Sequence, residues 1–135
     1  MGMGYSANYA DVISEKDVKE IVPKEYDAFI KALNDNGSSL SDFACNLIED
    51  LPEDKQQPID DAWFALEKAF ELKTRVNSDH NSGLWLSVEY HDSNDGSRYD
   101  DVDGVFFSVG NLYYLTEAGK NLQGKIERKF YVTYG

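Results

Sequence analysis

Hydrophobic spacing changes character once along this chain of 135 residues. Up to about residue 76 apolar side chains recur with a helical period, and from Leu84 onward they alternate. A period of 3.6 specifies an amphipathic helix, and a period of 2 specifies a strand with one covered face. Helices followed by consecutive strands predict an α+β fold with an antiparallel sheet, not βαβ units. The length suits a single domain over residues 1–135.

Within the helical part, Tyr5–Ala10 alternates weakly and reads as a short edge strand before the helices. Ser14 caps a first helix, with Asp17 three residues on, and Pro23 limits it and opens a second. Tyr26, Phe29, Ile30 and Leu33 share one face of the second helix, which stops at Asn36-Gly37. Ser38 or Ser39 caps a third, whose stripe Leu40, Phe43, Ala44, Leu47, Ile48 and Leu51 runs to Pro52. Residues 52–58 read as a polar connector. A fourth helix is predicted from about Pro58 to Val76 on Ile59, Ala62, Trp63, Leu66, Ala69 and Phe70, with Phe64, Ala65 and Leu72 widening its apolar face.

In the alternating part, Leu84–Tyr90 is a strand, followed by a long acidic loop from Asp92 to Asp103. Val105–Val109 and Leu112–Leu115 read as a hairpin turning at Gly110-Asn111. Thr116–Lys125 is a turn or short helix, and Ile126–Tyr134 is the last strand. The expectation is three to four helices packed on a C-terminal antiparallel sheet of about four strands.

Charge decides which partners are excluded. The net charge is −12, and it is uneven: residues 1–103 hold 23 acids and 9 bases, whereas residues 104–135 hold 2 acids and 4 bases. Direct nucleic-acid binding needs clustered Lys and Arg, and anionic membranes need the same, so neither is expected. An acidic surface attracts basic proteins or cations over long range, or only keeps a small protein dispersed. Residues 1–10 lack a cationic start and an apolar stretch, and Cys45 is a lone cysteine. The cytoplasm is the expected compartment. A myristoylation-like pattern at Met1–Ser6 is followed by acidic sequence, which gives an acyl chain no second anchor.

No catalytic motif emerges. GxxxxGK[ST] and GxSxG are both missing, and Cys45 lies four residues before Glu49, which opposes thiolate formation. His80 with Asp79 and His91 with Asp92 flank the strand Leu84–Tyr90, which sets the two pairs roughly 23 Å apart, too far for one metal. With 25 acids some carboxylate pair falls close by chance, so no dyad is singled out and an enzyme using unrecognised carboxylates stays a third reading. No cofactor is expected.

Two sets of side chains stand out. Asp92, Asp95, Asp100, Asp101 and Asp103 form an oxygen-rich loop of the type hard cations prefer, although no EF-hand register fits Gly96 or Gly104. A Ca²⁺ or Mg²⁺ module is therefore one expectation. Asp42, Asn46, Glu49, Asp50, Glu53 and Asp54 form an acidic strip on the helices. Trp85 and Tyr131 lie on strand faces opposite the apolar one, where they are exposed for a partner or covered by helices.

The opening MGMGYSANYADVI resembles the start of small uncharacterised proteins of tailed bacteriophages. The likeness covers about thirteen residues and carries no functional motif. It implies a host bacterial cytoplasm and an accessory role, in which small acidic proteins act by occupying a host protein's nucleic-acid site. The leading expectation is thus a non-enzymatic interaction protein whose acidic face meets a basic protein surface, in a stronger version mimicking a phosphate backbone.

Overall fold

A computed structural model of the protein describes residues 5–75, 83–92, 100–110, 122 and 124–134. Strand β1 spans Tyr5–Ile13 and is followed by helices α1 (Glu15–Ile21), α2 (Pro23–Asp35) and α3 (Leu40–Ala44). A 3-10 turn at Leu47–Asp50 leads into the long helix α4 (Glu53–Thr74). Strands β2 (Trp85–His91), β3 (Gly104–Gly110) and β4 (Ile126–Tyr134) complete the described chain. The fold is α+β, as the change of period predicts. The expected strand Leu112–Leu115 and most of the segment Thr116–Lys125 lie outside the described residues.

All strand pairs are antiparallel, in the order β2-β3-β1-β4. β1 is therefore an interior strand, not the short edge strand its weak alternation suggests. It pairs with β4 over its full length, from Tyr5↔Tyr134 to Ile13↔Ile126, and meets β3 at Val12↔Ser108 and Ile13↔Phe107. Small and polar residues such as Ser6, Ala7 and Asn8 hide a strand whose partners lie at the far end of the sequence.

The core forms between the helices and one sheet face. Ile13, Leu86, Phe107 and Val109 from the sheet meet Val18, Val22, Phe29, Leu33, Ile59, Leu66 and Phe70 from the helices, all buried. The caps read from the sequence recur: Ser14 and Ser39 hydroxyls accept from the Asp17 and Asp42 amides, each at 3.1 Å. Gly37 takes a left-handed φ of 71° after the C-cap Asn36.

Two helix boundaries and one helix face depart from the sequence reading. The third helix breaks after Ala44, because Asn46 adopts φ 60°, a left-handed conformation asparagine tolerates better than most residues. α4 begins at Glu53, so the expected connector 52–58 is helical and Pro58 lies inside the helix. Pro58 deletes the backbone bond to the Asp54 carbonyl. The first turn is instead held from outside. The Pro52 carbonyl accepts from the Lys55 and Gln56 amides, and Gln56 Nε2 donates to the Glu49 and Leu51 carbonyls at 3.1 and 2.9 Å. Finally, Phe64 and Leu72 do not extend the buried stripe of α4; both are exposed, Phe64 at 64%.

The end of α4 is tied to the sheet by Thr74, which is buried. Its hydroxyl donates to the Phe70 carbonyl at 2.9 Å and accepts from the Leu84 amide at 2.8 Å. Thr74→Val keeps the shape and strands the buried Leu84 N–H. The expected loss is about 1–3 kcal/mol in urea unfolding, with faster amide exchange at Leu84.

Rolling of the sheet positions everything discussed below. β2 and β4 are the outermost strands, which in a flat sheet stand about 14 Å apart. Yet the rings of His91 on β2 and Tyr131 on β4 lie 5.1 Å apart. The face away from the helices curls around His91, Tyr131 and Phe106, and Ala10 and Ser108 on that face are also buried. Residues 100 and 101 close the seam. The Asp101 amide donates to the Phe130 carbonyl at 2.8 Å, and the Phe130 and Val132 amides donate to Asp101 Oδ2 and Asp100 Oδ1. The outer edge of β4 is thereby occupied, whereas β2 makes no backbone bonds to another described residue beyond its ladder with β3.

Candidate functional site

The stretch 38–67 holds eight acids and one lysine, a net of −7 within the total of −12. It folds as α3, the 3-10 turn and most of α4. Glu49, Asp50, Glu53 and Asp54 are exposed, and Asp42 is half-buried at the start of α3. Among the described residues the ion pairs join Lys19, Lys31, Arg75, His91, Lys125 and Lys129 to carboxylates elsewhere, none of them in 38–67. The strip read from the sequence falls on consecutive elements, and none of these ion pairs neutralises it.

Beside this strip runs a groove of about 350 Å³ between α3 with its following turn, α4 and β2. Asp60, Trp63 and Glu67 line it from α4 at spacings of three and four, which is one helical stripe. Glu49 lines it from the 3-10 turn, and Leu86, Ser87 and Val88 wall it along β2. All its charged lining groups are carboxylates. Trp63 packs against buried Phe29 and against Phe43, which also lines the groove, with ring centroids 5.1 and 5.0 Å away, and those two rings lie 5.0 Å from each other. Partial burial pushes the Glu67 carboxyl above the ordinary glutamate range. Anionic Glu67 therefore finds less water than it has in the unfolded chain, and a cation in the groove would relieve it.

Asp60, Glu67 and Trp63 were not legible as a site in the sequence. The stripe is there, but Trp63 also continues the apolar face of α4, and only the nearby β2 turns that stripe into a concavity.

Trp85 and Tyr131 do not form one patch. Trp85 is 66% exposed at the start of β2. Tyr131 is half-buried against His91, at the other end of β2, and Phe106. Burial and then the Glu89 carboxylate raise the Tyr131 hydroxyl above its ordinary value.

Of the acidic loop, Asp95 lies outside the described residues, as do Asp79 and His80. Asp92, Asp101 and Asp103 are exposed. The Asp100 carboxylate is 1% exposed, with Oδ2 2.7 Å from His91 Nε2 and Oδ1 accepting from the Val132 amide at 2.8 Å. Asp100 and Asp101 act as clamps on strand β4. Among the described residues no group of three or more His, Cys, Asp or Glu is placed to hold a metal ion. Cys45 is exposed, and no described helix is long and apolar enough to cross a membrane.

No protein-family model matches the chain, and neither a curated protein nor a solved structure is similar to it.

Proposed function

We propose that this protein is a non-enzymatic interaction factor that docks its acidic face, residues 38–67, onto a basic surface of another protein. The observation that carries the reading is the net charge of −7 on that face without an ion pair to a described Lys or Arg. Like charges held together raise the local potential and steer oppositely charged partners. An accessory role in a host bacterial cytoplasm, of the kind found in phages or mobile elements, suits such a tool: an acidic face competes with nucleic acid for a basic protein site.

Binding to an Arg- and Lys-rich peptide, measured across a salt series, tests the reading. Affinity is expected to fall steeply between 50 mM and 500 mM salt, because the Debye length near 0.1 M is only about 10 Å. Neutralising Asp42, Asp50, Glu53 and Asp54 together to Asn or Gln is expected to weaken binding about tenfold at low salt. Binding indifferent to both changes would end the proposal.

A further inference from the structure

We propose that the groove beside β2 takes an extended basic segment of the partner protein, which adds to the sheet as a strand and seats an Arg or Lys side chain on Trp63. The inference rests on the acidic-face reading above and names the structure its partner presents.

Edge accounting comes first. A four-stranded open sheet has two edges, and each is a row of amides and carbonyls able to pair with another chain. The β4 edge is bonded to residues 100 and 101, and β1 and β3 are interior. Among the described residues the edge of β2 is left, and the groove lies against that strand. Leu86, Ser87 and Val88 line the groove, and its other lining residues come from α3, the 3-10 turn with Asn46, and α4, so β2 is the strand it touches. Strand addition at such an edge supplies affinity through the main chain, while alternate side chains enter the flanking pocket.

The pocket chooses the side chain. Trp63 lines it together with Asp60, Glu67 and Glu49, and no described Lys, Arg or His is among its lining residues. A guanidinium or ammonium gains from the ring and from the carboxylates together, whereas an acidic side chain is repelled by all three. At about 350 Å³ the groove has room for one such side chain with its backbone.

The probe is a labelled eight-residue peptide alternating Arg and Val, followed by fluorescence anisotropy. Asp60→Asn with Glu67→Gln is expected to weaken it about tenfold, and methylating alternate peptide amides, with every side chain kept, by a similar factor. Affinity should also fall as pH drops through the raised range of Glu67, and E67Q should flatten that fall. The charged groups facing Glu67 in the groove are Asp60 of its own helix and Glu49 of the 3-10 turn; β2 contributes only Ser87. The peptide variants keep the question decidable should the double variant fold poorly.

Equal binding of the methylated and unmethylated peptides would overturn strand addition. Unchanged binding by the D60N/E67Q protein would overturn the groove, and if the quadruple variant of the acidic strip still binds weakly, the broader reading survives it. A peptide that binds neither protein at low salt removes both.

Discussion

Asp100→Ala is expected to destabilise the fold by about 3 kcal/mol, as much as a well-chosen core truncation. The carboxylate is buried, lies 2.7 Å from His91 Nε2, and accepts the Val132 amide at 2.8 Å. An ionised carboxylate only accepts, so Nε2 carries the proton of that bond. Truncation strands two buried donors at once and frees the outer edge of β4 at Val132, while Asp101 still holds Phe130. In thermal unfolding the shift should be on the order of 10 °C. Amide exchange at Val132 should quicken more than at Leu66 in the helical layer. Asp100→Asn keeps an acceptor for Val132 and should recover part of the loss. A variant melting with the wild type would mean that the seam between β2 and β4 is held by the ring contacts alone.

Phe29→Ala is expected to cost about 3–5 kcal/mol, the range for deleting a fully buried aromatic ring. Phe29 has no exposed surface and meets both Phe43, edge to face, and Trp63. Its removal leaves a cavity behind the groove floor, so the indole loses its backing as the fold loses stability. Urea unfolding reads the first effect, and a weaker near-ultraviolet dichroism signal from Trp63 reads the second. Phe29→Leu, which roughly conserves volume, should cost less than about 1.5 kcal/mol and keep the dichroism. Equal effects of the two substitutions would show that the site tolerates collapse and that the ring stack is incidental.

What the sequence revealed tracks how local the determinant is. Ser14, Ser39, Asn36 and Gly37 act on backbone within three residues, and each does in the structure what its position predicts. Strands β2 and β4 follow from alternation, and β3 from a hairpin reading at Gly110-Asn111. Errors arose where a local preference met a longer-range one. Leu47, Ile48 and Leu51 continue the stripe of α3, but left-handed Asn46 interrupts the helix between them. Pro58 reads as a start signal, although Gln56 secures a turn that begins five residues earlier.

The least legible property was sheet curvature. Alternation places His91 and Tyr131 on the face opposite Leu86 and Val132, which is either open to a partner or covered by helices. Rolling buries His91 and half-buries Tyr131 there, and the burial along β2 changes from one face at Leu86 to the other at His91. No period in a single strand encodes that, because curl is a property of the assembled sheet. The groove was invisible for the same reason: its walls come from residues 43–49, 60–67 and 86–88, joined only by tertiary packing.

The placement of β1 also governs the order in which the molecule assembles. The helices and the β2–β3 ladder rest on comparatively near neighbours, but Ile13 must wait for Phe107 and Ile126. Contacts so distant along the chain slow the search for the native state. During synthesis the strand Tyr5–Ile13 lacks its longest partner until Ile126–Tyr134 has been made, so its registration against β4 is expected late in folding, after the local helical contacts.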